Sequence, residues 1–161
     1  MAYDETGRPV GAAVNNSCQR RDHNLTLEEE LEGVEQSYRP IQAIHHQLRR
    51  DNDHVYGEIG VDKMFSIGMV GVAMTGQGIA TNLIRRSILL AGCLGFRGIK
   101  TEATGQFSLE AYERVGLLPV SSVEYADFSY QGQKVFAGVQ GDSKITFMRK
   151  KFFQSSLTHI L

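Results

Sequence analysis

The sequence has no excess of charge, no cysteine framework and no membrane-length apolar run, and each absence removes a class of function. Its 161 residues hold 17 Lys and Arg against 18 Asp and Glu, a formal net charge of -1. With no basic block, the electrostatic footprint of a nucleic-acid binder is missing. Cys18 and Cys93 are the only cysteines. Two are too few for a disulfide scaffold, and neither they nor the histidines stand at metal-ligand spacing, so no metal is expected. Both cysteines read as small buried apolar residues. No stretch approaches a membrane span, and the first residues lack the basic-then-apolar layout of a secretion signal. A cytoplasmic protein with no membrane partner is the expectation. No repeat or low-complexity segment occurs, and without a Gly-x-x-x-x-Gly-Lys-Ser/Thr run a P-loop nucleotide site is set aside.

What is present is an ordinary globular composition, 42% hydrophobic and 22% charged, in a chain of single-domain length. The patterning predicts an opening hairpin: a strand from Tyr3, the turn Asp4-Glu5-Thr6-Gly7, then a return strand over residues 8–15. Residues 16–24 are polar and read as a loop. Thr26-Leu27-Glu28-Glu29 is a capping box and starts a helix, which Pro40 breaks or restarts. Ile41, Ile44 and Leu48 mark the apolar face of the next helix, and residues 51–63 read as a polar connector.

Residues 64–74 are too apolar for a half-exposed strand and predict a central one, in which Gly68 and Gly71 signal a bulge or splay. A helix follows from Gly78, with Ile79, Leu83, Ser87, Ala91 and Leu94 on one face and Gly95 closing it. Residues 98–103 form a short strand, and Ser108 caps a short helix that Gly116 ends. Strands over 118–128, 134–136 and 144–149 complete the chain. The order is a mixed α/β sandwich with one β-α-β unit at its centre.

Inside that unit stands Thr75-Gly76-Gln77-Gly78-Ile79-Ala80-Thr81, an apolar strand running through two glycines into a helix. The glycines allow close backbone approach, and the helix start presents unpaired N–H groups and a positive dipole end to an anion such as a pyrophosphate. A plain strand-to-helix corner with no ligand fits the same spacing.

This order and motif resemble the GCN5-related N-acetyltransferase (GNAT) superfamily, and within it the invertebrate arylalkylamine (dopamine-like) N-acetyltransferases. The family motif is Arg or Gln, two variable residues, Gly, one variable residue, then Gly or Ala; here Thr75 stands where Arg or Gln is usual. Ser108-Leu109-Glu110-Ala111-Tyr112-Glu113-Arg114-Val115-Gly116-Leu117 is similar to the superfamily's Tyr-x-x-x-Gly-Phe helix, with Leu117 in place of Phe. Residues 124–128, with Gly132, Val135 and Phe136, resemble the arylalkylamine branch more narrowly. The likeness runs from Tyr3 to Lys150, so residues 1–150 are expected to form one acetyltransferase-like domain and 151–161 a tail. Family members carry a further strand and helices before this hairpin. These help line the amine pocket and, in the arylalkylamine branch, carry the Glu assigned as general base. The chain opens without them and is expected to be a truncated, fragmentary or diverged form.

The resemblance implies acetyl-CoA as co-substrate and a small primary amine, such as an arylalkylamine, as acceptor in a ternary complex. The backbone N–H groups of Gln77, Gly78, Ile79, Ala80 and Thr81 would cradle the pyrophosphate. Met69, Val70 and Val72 would hold the pantetheine arm, with the Val72 N–H facing the thioester oxygen. Tyr112, a turn after Ser108, would protonate the leaving thiolate, and Ser108 matches a serine of the branch. A core aromatic and a plain helix cap are the structural alternatives. For the base the sequence offers only Glu58, Glu102 and His54, residue types that are usually at the surface. His45 and His46 read as half core and half solvent on an amphipathic helix. Arg85 and Arg86 fit a coenzyme phosphate or an exposed helix face equally. A non-catalytic acyl-CoA-binding module is the alternative function.

Overall fold

The computed structural model describes residues 1–152. Strands β1 (Ala2–Tyr3), β2 (Pro9–Gln19), β3 (Lys63–Val72), β4 (Gly98–Ala103), β5 (Leu118–Glu124) and β6 (Lys144–Lys151) form one sheet in the order β1-β2-β3-β4-β6-β5. Every pairing is antiparallel except β3 with β4. That exception follows from the crossover helix α4 (Ile79–Cys93), which returns the chain to the end of the sheet where β3 began. The architecture is the mixed, mainly antiparallel α/β sheet that the sequence predicts.

Two helical layers cover the sheet. On one face lie α1 (Leu27–Glu30), α2 (Arg39–Asp51) and α3 (His54–Ile59), packed through Ile44, Leu48, Tyr56 and Ile59 onto Met64 and Phe147. On the other lie α4 and α5 (Gln106–Glu113), packed through Ile84, Ala91, Ala111 and Tyr112 onto Phe65, Ile67 and Ile99. Strand alternation divides β4 between the layers. Ile99, Thr101 and Ala103 face α4 and α5, while Lys100 and Glu102 face α2.

Several boundaries differ from the sequence expectation. β2 continues through the expected loop to Gln19, because its polar residues 15–19 pair with β3 along a long ladder, and Arg20–Asn24 is a 3-10 turn. The connector 51–63 contains α3, whose Val55, Tyr56 and Ile59 are completely buried and whose end is set by Gly60 in the left-handed region. β5 stops at Glu124, and residues 134–136 form no strand; Phe136 instead packs against Tyr125 and Phe128, ring centroids 5.5 and 5.6 Å apart. Cys93 and Leu94 are exposed, since α4 needs only one flank buried, and Cys18 is half-buried. The capping box forms as read: Thr26 Oγ1 accepts the Glu29 N–H at 3.2 Å and Glu29 accepts the Thr26 N–H at 2.7 Å. Lys151 closes β6, and of the tail expected over 151–161 the residues beyond 152 lie outside the described residues. No helix among the described residues is long and apolar enough to cross a membrane.

Candidate functional site

β3 and β4 run side by side for only three paired positions, Phe65 with Ile99, Ser66 with Lys100 and Ile67 with Thr101. A further tie is the Thr101 hydroxyl, which donates to the Ile67 carbonyl at 2.7 Å. Beyond that point both strands continue without each other, β3 holding to β2 and β4 to β6. The separation starts at Gly68, which is the extra residue of a bulge between Val14↔Met69 and Asn15↔Ile67. Gly71 stays in register opposite Ala12, so of the two glycines flagged for a bulge only Gly68 makes one.

The bulge leaves a wedge-shaped gap with a defined polar edge. The Ala73 N–H donates to the Val10 carbonyl at 2.8 Å, so that pair is hydrogen-bonded. Antiparallel alternation then turns the Val72 and Val70 N–H groups away from β2, toward the gap, where no strand pairs with them. At the head of the gap the chain turns through Gly76 and Gly78, both in the left-handed region at φ 78° and 72°. Gly78 caps α4, and its carbonyl accepts the first helical bond, from Asn82 at 3.0 Å. The N–H groups of residues 77–81 therefore have no acceptor among the described residues.

Tyr112 and Ser108 stand on α5 and line the same groove, as their spacing of one turn predicts. The helix is anchored at its start by Asp142, whose carboxylate accepts the Gln106 N–H at 2.9 Å from 36 residues away. Ser108 is at the third helical position and is not the N-cap, which is Gly105. Its hydroxyl donates to the Gly105 carbonyl at 2.7 Å and accepts the Gly105 N–H at 3.1 Å. The Tyr112 phenol is 5% exposed and donates to no carbonyl among the described residues. Burial raises its pKa above the ordinary phenol value, partly offset by the Thr101 hydroxyl beside it, so it holds its proton at neutral pH.

The groove continues through the gap to the α2 face, enclosing about 1090 Å³ in all. There the floor is charged. Lys100, 3% exposed, donates to Glu102 at 3.2 Å and lies 5.7 Å from the Phe147 ring centroid. His45 Nδ1 hydrogen-bonds the other Glu102 oxygen, and Arg49 Nη1 is 3.7 Å from it. Arg49 and His46 in turn pair with Glu30 of α1. Burial pushes the Glu102 carboxyl up, but the His45 hydrogen bond and the Lys100 and Arg49 charges outweigh it and bring it down to about 2. Deeper along this wall His23 is pulled down to about 4, by burial first and then by Lys100 and Arg49. Its Nε2 is 3.3 Å from the Tyr56 hydroxyl and 3.7 Å from Cys18 Sγ.

Of the residues expected at the site, Met69, Val70, Val72, Gly78, Ile79, Ala80, Thr81, Ser108 and Tyr112 all line this one groove. Gln77 is exposed in the turn beside them, and Thr75 lines the groove at its head. Among the described residues Arg85 bonds only to its helix neighbour Asn82, and both Arg85 and Arg86 are exposed away from the groove. Glu58 and His54 lie outside it, 3.7 Å apart in solvent, with Arg149 3.3 Å from Glu58. Glu102 is the correction: it is largely buried at the groove floor, because three cationic or hydrogen-bonding neighbours offset the cost of removing its charge from water. Sequence reading also missed Lys100, Arg49 and Glu30 as a network. The available signal was the pair Lys100 and Glu102, two ionisable residues on one face of an otherwise buried strand. Among the described residues no group of three or more His, Cys, Asp or Glu is placed to hold a metal.

No protein-family model matches the chain. Its structure does match solved ones. A mosquito arylalkylamine N-acetyltransferase, like 5b, superposes with a TM-score of 0.81 at 22% identity, over 91% of this chain and 70% of that one. Arylalkylamine N-acetyltransferase 2 from Aedes aegypti gives 0.81 at 26% identity, over 94% and 71%. The fold is that of the GCN5-related N-acetyltransferases. A polyamine N-acetyltransferase of Drosophila melanogaster, which forms N-acetylagmatine, gives 0.81 at 17% identity, over 91% and 71%. Within this GNAT frame the groove has two unlike halves: a backbone-lined wedge at the β3-α4 turn, and a charged floor on the α2 face.

Proposed function

We propose that the chain is an acetyl-CoA-dependent N-acetyltransferase that moves an acetyl group to a small primary amine, such as an arylalkylamine, by direct transfer in a ternary complex. The observation that carries this reading is the gap between β3 and β4. It exposes the Val70 and Val72 N–H groups to a groove that has a helix start with unpaired N–H groups at one end and a protonated phenol on its wall. The pyrophosphate would sit on the free N–H groups of residues 77–81. The pantetheine arm would add to the open edge of β3 as a strand does, along Met69, Val70 and Val72. The Val72 N–H is then available to the thioester oxygen, a contribution of roughly 3 kcal/mol to the transition state in comparable sites.

Tyr112 serves as proton donor to the departing thiolate. A free thiol has a pKa of about 8.5, so the leaving group benefits from a nearby acid that is still protonated. Ser108 supports this role by tying the first turn of α5 to Gly105. The insect and fly neighbours are N-acetyltransferases of arylalkylamines and polyamines, which supports the reaction class.

Adding acetyl-CoA at a hundredfold excess over its Kd should raise the melting temperature by about 5–10 °C. With a panel of arylalkylamines and polyamines, thiol should then be released. A thermal shift without thiol release would favour the acyl-CoA-binding module. No shift at millimolar coenzyme would overturn the reading.

A further inference from the structure

We propose that His45, aligned by Glu102, is the base that takes the proton from the incoming amine. This rests on the acetyltransfer reading above and assigns the acceptor half of the groove. Glu102 is the first residue of β4 past its last pairing with β3, so its carboxylate stands at the mouth of the gap. It points to the α2 face, whereas Tyr112 occupies the α5 face. Base and acid thus flank the gap from opposite sides of the sheet. That is the arrangement needed when an amine enters from one side and a thiol leaves on the other.

The hydrogen bond fixes which nitrogen can act. An ionised carboxylate only accepts, so in the neutral imidazole Nδ1 carries the hydrogen and Nε2 keeps its lone pair. His45 is half-buried on the groove wall, and Nε2 has no partner among the described residues. The groups facing this pair are Glu102 and Lys100 from β4 and Arg49 from its own helix, with Glu30 of α1 behind Arg49. Lys100 and Arg49 keep Glu102 ionised, so it orients the imidazole and does not compete for the proton. The second imidazole on the wall is no substitute: His23 is held to about 4, and its Nε2 is engaged with Tyr56 and Cys18.

In the step, the ammonium gives one proton to His45 Nε2, and the freed lone pair attacks the thioester carbon. The N–C bond forms and the C–S bond breaks. The thiolate takes a proton from Tyr112, which regains one as the acylated nitrogen sheds its second. His45 releases its proton to solvent, so one proton appears per turnover.

Two measurements test this. In His45→Gln, kcat should fall about 100-fold and the acidic limb of the pH profile should disappear, with the thermal shift by acetyl-CoA unchanged. In Glu102→Gln kcat should also fall, by less than in His45→Gln, because the imidazole is no longer held with Nε2 toward the groove. Independently of turnover, 15N NMR of the wild type should show neutral His45 as the Nδ1–H tautomer, a preference that Glu102→Gln weakens. If the wild type transfers acetyl groups and His45→Gln keeps its rate and profile, or if His45 is the Nε2–H tautomer, the role of His45 falls and the acetyltransfer reading stands. A wild type that neither binds acetyl-CoA nor releases thiol overturns both.

Discussion

The two walls of the groove are built by different means. The wall proposed for the acetyl donor is backbone: N–H groups left over where a strand loses its partner and where a helix begins, set in place by Gly68, Gly76 and Gly78. The wall proposed for the acceptor is side chain: a network of His45, Glu102, Lys100, Arg49 and Glu30 drawn from α1, α2 and β4. A backbone site suits a ligand that every turnover shares, because it tolerates side-chain variation. A side-chain network can be retuned residue by residue, which suits a variable acceptor.

Breaking the donor wall should produce the largest effect. Gly78→Glu places a carboxylate in the proposed anion cradle and should abolish the thermal shift by acetyl-CoA even at millimolar coenzyme. Gly78→Asn tolerates the left-handed backbone and carries no charge, so it should keep most of the shift. A full shift in Gly78→Glu would put the coenzyme elsewhere.

The difference between the walls also explains what could be read from the sequence. The turn at the head of the groove was legible because backbone geometry leaves a short local mark, two glycines between an apolar run and an amphipathic helix. Ser108 and Tyr112 came from the family resemblance, and their spacing of one turn added only that they share a helix face, as the groove lining shows. The acceptor half is joined by a bond between His45 and Glu102, 57 residues apart, which no local period records. Glu102 alone looks like a surface residue. Only the alternation of β4 and the position of α2 over it bury the carboxylate against three partners. The bulge was expected at either glycine, and the register with β2 decides for Gly68.

Within the donor half, the two α5 hydroxyls should separate sharply. Tyr112→Phe should lower kcat about 100-fold, equivalent to roughly 2.7 kcal/mol, with little change in acetyl-CoA binding. Steady-state thiol release at saturating coenzyme checks this.

On the acceptor wall, His23 should write itself into the stability curve. Its folded pKa of about 4 lies below the ordinary value near 6.5, so the unfolded chain binds the extra proton between these values. Stability is therefore full above pH 6.5 and falls as the pH drops toward 4, by roughly 3 kcal/mol over the window. Urea titrations from pH 7 to 4 should show this slope in the wild type and lose it in His23→Phe. Glu102, also depressed, acts mostly below this window, between its ordinary value of 4.5 and about 2.

The smallest effect is expected at Ser108. Its hydroxyl is already committed to Gly105, so Ser108→Ala should cost about 1 kcal/mol of stability through the lost hydrogen bonds to the Gly105 backbone. Its kcat should stay well above that of Tyr112→Phe, and a reversed order would make Ser108 the proton donor.

The most direct test is an amide NMR titration of the protein with acetyl-CoA. The N–H resonances of Val70, Val72 and residues 78–81 should move together and saturate at one affinity, as the open edge of β3 and the start of α4 take up the coenzyme. If they stay fixed while amides elsewhere respond, the gap between β3 and β4 is not the donor site.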